Sequence, residues 1–324
     1  MNNIKKIGLS ALAGSLVATS AYAGELSVAG SASLGIEHTN GGAASSGKTF
    51  SMGNQITFTG GGELDNGLNV SLSFVLDQGD DQSAGSNVAS ATGPFDGHSL
   101  TVSSDALGTL VFHGEGGSSA QSAIDGSAAG DIWDSFDGDV TGDVVISSSA
   151  TSNNMIHYTL PAMMDGLSIS ASYVPTGSTT DSATSWAATY TGVDGLSVSY
   201  GSGDGNSTTA DTDATSFKAT YAYGPVTVGY SNHEFDTNAT TGDQEMDGYS
   251  ISYTVSDEIS VTYGAETISE VGHDLDTETA KVSVSYTTGG MTLTASSASI
   301  DNSAGGTGTT QDRETWALGA SFAF

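Results

Sequence analysis

Residues 25–38 read ELSVAGSASLGIEH, a segment in which apolar and small polar side chains alternate. One face would carry Leu26, Val28, Ala32, Leu34 and Ile36, and the other Ser27, Ser31, Ser33 and Glu37. A repeat of two residues is typical of a β-strand, because successive side chains of a strand point to opposite faces. The segment therefore predicts a strand with one apolar face and one wettable face.

The same alternation recurs along the rest of the chain and predicts about sixteen strands in all. The other predicted strands are 51–63, 68–77, 98–104, 108–115, 154–160, 166–174, 185–191, 196–201, 215–223, 226–234, 248–255, 259–268, 277–287, 291–299 and 313–324. Each is near the length that a tilted strand needs to cross a membrane.

Short turns and longer polar connections alternate between these segments. Asp-Asn-Gly at 65–67 and Asp-Gly at 194–195 are typical of tight hairpin turns, whereas 39–50, 79–97 and 301–312 are longer. This alternation is typical of an up-and-down barrel whose two rims lie on opposite sides of a membrane.

The wettable face consists mostly of Ser, Thr, Gly and Asp, which suits a water-filled lumen better than a packed core. A sheet in lipid must also close, because an open edge would leave backbone amides unpaired. We therefore predict an all-β fold, a transmembrane antiparallel up-and-down β-barrel of about sixteen strands. The alternative left open is a secreted, Ser/Thr-rich β-protein such as an adhesin.

The N-terminal segment 1–23 predicts a cleaved secretory signal peptide. Lys5 and Lys6 precede the apolar run 7–18, and Ala21-Tyr22-Ala23 supplies the small residues of a cleavage site. The predicted barrel domain then covers residues 24–324. After the signal no apolar run reaches the eighteen residues of a membrane helix, so export leads to the periplasm, the medium or the outer membrane.

Charge and cysteine content exclude several kinds of partner and linkage. Without the signal the chain keeps 37 acidic residues and 6 − 2 = 4 basic ones, for a net charge of −31 − 2 = −33. Long-range repulsion therefore disfavours nucleic acid and other polyanions, and we expect no nucleic acid partner. With no Cys, the exported chain has no disulfide framework.

Residues 115–152 form the longest connection after the signal, and we call them the long loop. Ile132, Trp133 and Phe136 are bulky apolar residues near its middle. Its acidic residues are Glu115, Asp125, Asp131, Asp134, Asp137, Asp139 and Asp143. A loop of this length in a compact domain usually has a function. We predict that it folds into the barrel lumen and narrows it.

Strand parity places five other ionisable residues on the lumen side of the predicted wall. They are His113, His157, Lys218, Lys281 and Arg313. The two histidines flank the long loop, and they are either ordinary polar lumen residues or a pH-responsive charge at the constriction.

Four loop carboxylates, Asp134, Asp137, Asp139 and Asp143, are crowded enough to hold Ca²⁺, although their spacing is not that of an EF-hand. The alternative is a solvated acidic loop without a defined site. We expect no required cofactor. The chain contains no G-x-S-x-G, no H-E-x-x-H and no Cys nucleophile, so we do not expect an enzyme.

Every Tyr after the signal has the parity of the apolar face, where an interfacial aromatic belt belongs. The tyrosines are Tyr158, Tyr173, Tyr190, Tyr200, Tyr221, Tyr223, Tyr230, Tyr249, Tyr253, Tyr263 and Tyr286. The first five strands have none, and we expect them to carry Ala and Gly outward instead. We predict that these five strands contact another protomer. Compositional drift is the alternative explanation.

Three segments resemble the general porins of Gram-negative bacteria, and most of all the alphaproteobacterial, Rhodobacter-type porins. They are the opening ELSVAG at 25–30, NMIHYTLP at 154–161 directly after the long loop, and the terminal strand 316–324 ending in Phe324. The resemblance implies a trimeric barrel of sixteen strands in the outer membrane of a Gram-negative bacterium. It also implies that the third long loop forms an eyelet, and that Phe324 belongs to a C-terminal assembly signal.

In porins of this kind, acids on the loop face basic residues on the wall. This chain departs from that pattern at His157, where related porins usually carry Arg or Lys, and its lumen cations are on late strands. Acidic rings favour cations. We therefore expect a cation-preferring channel for the passive diffusion of small hydrophilic solutes and ions. A substrate-specific channel, for example for sugars, is the alternative, but the aromatic residues that would line its path have outward parity.

Overall fold

The computed structural model describes residues 26–41, 48–77, 95–136, 146–151, 153–176, 181–205, 212–237, 241–305 and 312–324. Its strands are β1 Leu26–Asn40, β2 Thr49–Glu63, β3 Asn69–Asp77, β4 Gly97–Ser104, β5 Gly108–Glu115, β6 Met155–Thr159, β7 Leu167–Val174, β8 Ala183–Tyr190, β9 Leu196–Asp204, β10 Asp213–Tyr223, β11 Val226–Asp236, β12 Gln244–Thr254, β13 Ile259–Glu270, β14 Thr277–Thr288, β15 Met291–Asp301 and β16 Arg313–Ala323.

The strands form one closed antiparallel barrel. Each pairs with its neighbours in the chain, and β1 closes the sheet by pairing with β16. The predicted number of strands and the predicted closure are confirmed. Closure removes the free edges that would otherwise expose unpaired N–H and C=O groups.

The chain end completes the seam between the first and last strands. Gly30 N–H donates to the Phe324 carbonyl at 2.7 Å, and Phe324 N–H donates back to the Gly30 carbonyl at 3.0 Å. The Phe324 ring covers Gly30 so closely that a Cβ at this position would overlap it. Glycine is therefore required at residue 30 while Phe324 lies there.

The two faces of the wall differ as the alternation predicts. Cross-strand partners such as Val28 with Phe58, and Phe58 with Phe74, share the outward row. All the predicted belt tyrosines lie on outward rows. Three ring pairs run along the outside of β8 to β12: Trp186 with Tyr200 at 5.6 Å, Phe217 with Tyr230 at 6.2 Å, and Tyr230 with Tyr249 at 5.1 Å between centroids.

Several strands extend further towards the long connections than predicted. Strand β12 begins at Gln244 instead of residue 248, and β9 ends at Asp204 instead of residue 201. The outward residues of these extensions, such as Glu245 and Asp247, are acidic, so the apolar alternation stops there. Backbone pairing continues regardless, because the ladder does not depend on side-chain polarity.

The outward face of the first five strands was predicted too simply. Gly30 and Ala32 lie on it, but Phe50, Met52 and Leu34 are 84%, 64% and 57% exposed on the same face. This arc lacks tyrosine, yet it is rich in large apolar side chains and not only in small ones.

Among the described residues, no helix is long and apolar enough to cross a membrane. The helical segments are short 3₁₀ pieces, Ser122–Ile124, Ile132–Phe136 and Ser303–Gly305. The largest buried apolar cluster joins Ile132 and Phe136 to Ala298 and Ile300 on inward rows of β15. The packed interior therefore lies where the long loop contacts the inner wall.

Candidate functional site

The described part of the long loop, residues 115–136 and 146–151, lies inside the barrel, as predicted. Its 3₁₀ helix Ile132–Phe136 packs on the inner face of β15, and Trp133 packs against the cluster of Met246 and Ile268 on β12 and β13. Ile132 and Phe136 are 0% and 1% exposed. The apolar residues noted in the sequence thus anchor the loop to the wall.

Inward-facing glycines allow the loop to approach the wall closely. We call Gly201, Gly229, Gly248 and Gly264 the glycine track. A Cβ on these residues would lie 3.0 Å from Ile124 Cδ1, 3.1 Å from Ala128 Cβ, 3.1 Å from Ser127 Cβ and 2.9 Å from Ala129 Cβ, respectively. These contacts place residues 124–129 directly against β9, β11, β12 and β13.

Wall serines bind the loop backbone. The loop N–H groups of Ala120, Gln121 and Ala128 donate to the hydroxyls of Ser172, Ser185 and Ser231 at 3.1, 3.3 and 2.8 Å. These serines are 7%, 5% and 3% exposed. The sequence predicted water against the serine face, but on this side of the barrel the long loop covers it.

Gln121 and His233 connect the loop to itself and to β10 and β11. Gln121 is fully buried; its Nε2 donates to Ser216 Oγ at 2.7 Å, and its Oε1 accepts from Ser149 N–H at 2.9 Å. His233 Nε2 lies 2.7 Å from the Ser147 carbonyl, and its Nδ1 lies 2.7 Å from Ser216 Oγ. Because a carbonyl only accepts, Nε2 carries the ring proton in this arrangement.

Glu266 on β13 is the main polar anchor, and the sequence analysis missed it. It is 2% exposed and faces inward. Its carboxylate accepts the N–H groups of Ile132 and Trp133 at 2.9 and 3.1 Å, the Thr279 hydroxyl at 3.1 Å and the Ser127 hydroxyl. The free N–H groups at the start of the 3₁₀ helix thus meet a negative charge. The sequence does contain one signal for Glu266: it is an acidic residue at an inward position of a strand that otherwise carries mostly apolar and small side chains.

Arg313 faces inward from β16, but the loop covers it. It is 1% exposed, and its NH1 donates to the Phe136 carbonyl at 3.4 Å while its NH2 donates to Ser303 Oγ at 2.9 Å. The guanidinium carbon also lies 5.7 Å from the centroid of the Phe136 ring. Arg313 therefore holds the end of the 3₁₀ helix and presents little of its surface to a solute.

The lysines occupy three different environments. Lys218 faces inward from β10, and its Nζ donates to the Gly126 carbonyl at 2.9 Å. Lys281 faces inward from β14 and is half-buried. Lys48 precedes β2, and its ammonium lies 6.0 Å from the ring centroid of Trp316, which is on the outward row.

The predicted acids of the long loop are not equivalent. Burial raises the pKa of Asp125, although the hydroxyl of Ser148 donates a hydrogen bond to its carboxylate and lowers it in part. Asp131 has a positive φ of 49° and accepts the Ser127 N–H at 2.7 Å. Glu115 is the last residue of β5, with its carboxylate 4.0 Å from His98 Nδ1.

Asp134 lies in the first turn of the 3₁₀ helix Ile132–Phe136. Asp137, Asp139 and Asp143 lie outside the described residues, as does Ser152 at the loop end. Within the described part of the chain, no group of three or more His, Cys, Asp or Glu side chains could hold a metal ion.

His113 and His157 lie on inward rows of β5 and β6, on either side of the long loop. His157 pairs with Val111 across the two strands, and its Nδ1 lies 3.2 Å from the Ser118 carbonyl. A Cβ added to Gly117 would lie 2.8 Å from the Cβ of His113. The two histidines therefore contact the beginning of the long loop.

The opposite wall has a different charge. The inward rows of β1, β2 and β3 carry Glu37, Glu63 and Asp77 among Ser, Thr and Gly. No Lys or Arg occurs within the described strands β1 to β5. The described contacts attach the loop to strands from β6 to β16, so the acidic arc of β1 to β3 borders the part of the lumen away from the loop.

Comparison with known proteins places this architecture in a family. The model of the Gram-negative porin family matches residues 8–274. No curated protein matches the chain. The anion-selective porin from Comamonas acidovorans aligns with 93% of this chain and 99% of its own, at 16% identity and a TM-score of 0.67.

Two further solved structures have the same fold. A substitution mutant of the Rh. blastica porin aligns with 93% of this chain and 100% of its own, at 17% identity and a TM-score of 0.66. A loop-deletion mutant of OmpT, an outer membrane protein of Vibrio cholerae, aligns with 92% and 99%, at 16% identity and a TM-score of 0.62. The chain belongs to the Gram-negative porin family and forms a channel of the outer membrane.

Proposed function

We propose that this porin is a weakly selective diffusion channel that prefers cations and admits small hydrophilic solutes. One observation carries the proposal: the inward rows of β1 to β3 bear Glu37, Glu63 and Asp77 and no Lys or Arg, while Arg313 is covered by the long loop. Carboxylates beside an aqueous passage attract cations and repel anions. The likeness to an anion-selective porin is at 16% identity and therefore concerns the fold alone.

The preference for cations over anions should be modest and not absolute. Two unit charges 4 Å apart in water interact by roughly 1 kcal/mol, so one carboxylate favours a cation by about fivefold and disfavours an anion by about fivefold at that distance. Salt screens this interaction further. Lys218 and Lys281 face inward as well and offset part of the acidic potential.

The test is the reversal potential of the purified porin in a planar bilayer under a KCl gradient. We expect the sign that corresponds to potassium over chloride, and a smaller potential for the double variant E37Q/D77N. E245Q removes a carboxylate from an outward row and is the matched control. A wild-type potential with the sign of chloride preference would overturn the proposal.

We also propose a homo-oligomer that is assembled through the outward faces of β1 to β5, and a trimer on the resemblance to general porins. The absence of tyrosine from these strands and the exposure of Phe50 and Met52 support this contact. The rest of the outer surface, with its aromatic belt, would face lipid.

Calcium binding by the loop acids and cleavage of the signal peptide are proposals too. Of the four proposed calcium ligands, Asp134 is among the described residues, and Asp137, Asp139 and Asp143 lie outside them. Loss of thermal stability on treatment with EGTA would support the calcium site, and indifference to EGTA would contradict it. Cleavage before Gly24 predicts a mature mass that intact-protein mass spectrometry can check.

A further inference from the structure

A cavity of about 260 Å³ lies between the long loop and the inner wall, on the side of the short turns. Its lining residues are Ala123, Ile124 and Gly126 from the loop, Ser197 and Ser199 from β9, and Lys218 and Thr220 from β10. The pairs Ser199 with Lys218 and Ser197 with Thr220 are direct cross-strand neighbours on the inward face. One wall of the cavity therefore combines an ammonium group with three hydroxyls.

The ammonium of Lys218 is held in place without being neutralised. Its described contact is the 2.9 Å hydrogen bond to the Gly126 carbonyl, and no carboxylate among the described residues lies within 4.0 Å of it. A lysine ammonium has three N–H donors, so two remain for a ligand. The hydrogen bond to the loop orders the side chain before a ligand arrives, which lowers the entropic cost of binding.

The neighbouring acid limits the charge of a suitable ligand. Asp131 Oδ2 and Lys218 Nζ lie 3.2 and 4.0 Å from the position that a Cβ on Gly126 would occupy. The two charges therefore flank the same glycine. Because this acid repels a second negative charge, a monoanion fits better than a dianion.

The other side of the cavity is apolar. Ala123 and Ile124 form it, and Ile124 is fixed by its contact with Gly201. Ser199 Oγ is already 2.8 Å from Thr189 Oγ1, whereas Ser197 and Thr220 lie next to each other at the turn side. A ligand that places its carboxylate at Lys218 could direct hydroxyl groups at Ser197 and Thr220 and its carbon chain at Ile124.

We propose that this cavity is a binding subsite for small hydroxylated monocarboxylates, such as sugar acids, within the diffusion path. The inference rests on the proposed diffusion function, because solutes must enter the lumen to reach the cavity. Its position on the side of the short turns means that a solute entering by the long-connection rim meets the loop first. The subsite retains such solutes briefly, although the passage as a whole prefers cations.

The experiment uses the full porin in planar bilayers with gluconate as the probe. We expect gluconate added on the side of the short turns to produce transient current interruptions in the wild type, and fewer with acetate or with glucose. K218M should weaken the apparent gluconate affinity by about tenfold or more, since a hydrogen bond to a charged group is lost. K218R should retain part of the affinity.

K281M is the matched control, because it removes one inward-facing charge outside the cavity. It should change gluconate affinity much less than K218M does. S197A is a second cavity variant, and it keeps the charge of Lys218. It should lower the apparent affinity for gluconate without changing that for acetate. An absence of gluconate interruptions in the wild type, or equal losses in K218M and K281M, would overturn the subsite.

The reversal potential in KCl, measured in the same bilayers, separates this inference from the proposed function. If the channel prefers chloride but shows gluconate interruptions that depend on Lys218, only the proposed cation preference is contradicted. Potassium preference without such interruptions would contradict the subsite alone.

Discussion

At the scale of single residues, the Glu266 carboxylate determines where the long loop lies. E266A would leave the buried N–H groups of Ile132 and Trp133 without an acceptor, and each such group costs about 1–3 kcal/mol. We expect the 3₁₀ helix to detach, giving noisier single-channel currents and protease cleavage within the loop. E266Q keeps one carbonyl oxygen and should have a smaller effect.

The control for Glu266 is E278A, which removes an exposed outward carboxylate from the adjacent strand β14. Limited proteolysis and current noise should be unchanged in that variant. If E266A and E278A behave alike, Glu266 does not hold the loop.

Asp125 should make the attachment of the loop sensitive to pH. Its pKa is raised above the ordinary value of 3.8, chiefly by burial, so the folded state binds the proton more tightly than the unfolded state. The resulting stabilisation is present at low pH and is lost as pH rises through the raised pKa. D125N should therefore raise the melting temperature at pH 7, with a difference that shrinks as pH falls through the raised pKa and has vanished below about 4.

Thermal unfolding in detergent at a series of pH values measures this effect. D65N, which removes an acid from an exposed turn, controls for the change in net charge. A stabilisation by D125N that persists undiminished at the lowest pH would contradict an origin in Asp125 ionisation.

At the scale of elements, the glycine track sets the distance between loop and wall. A valine at Gly248 would first meet Ser231 Oγ, 2.6 Å from the new Cβ, which accepts the Ala128 N–H of the loop. It would also push against Ser127, whose Cβ lies 3.1 Å away. Overpacking of this kind typically costs about 1–3 kcal/mol. We expect G248V to move the loop towards β1 to β3 and to lower single-channel conductance. G60V is the control, because Gly60 faces outward and its Cβ would only touch Leu26 at 3.9 Å. Equal conductance in the two variants would contradict this role.

The sequence predicted the strands better than it predicted the site, for a physical reason. Alternation reports which side of the sheet a residue faces, and it placed Lys218, Lys281 and Arg313 inward. Parity carries no information on what covers an inward residue. Ser172 and Ser185 therefore looked like water-facing lumen residues although the loop covers them. Glu266 was overlooked because its partners lie 134 and 133 residues away in the chain.

At the scale of the whole molecule, charge is divided between two halves of the barrel. The inward cations Lys218, Lys281 and Arg313 all belong to the half that carries the long loop, and the wall opposite has carboxylates and no cation in its described strands. Two of the three cations are also engaged with loop carbonyls. In this chain these two inward basic residues fasten the loop, and the proposed cation preference depends on the carboxylates of the opposite wall.

The outer surface carries the last prediction, which concerns assembly. Met52 on β2 and Ile251 on β12 are both outward and exposed, at 64% and 49%, but only Met52 lies on the arc without tyrosine. If β1 to β5 form the contact between protomers, M52S removes a buried apolar side chain from it, at about 2–3 kcal/mol per protomer. The oligomer of M52S should then convert to monomer at a lower temperature in detergent electrophoresis than the wild type, whereas I251S should not differ. The mass of the unheated complex gives the number of protomers. A monomeric wild type, or a lower conversion temperature for I251S than for M52S, would contradict a contact through the first five strands.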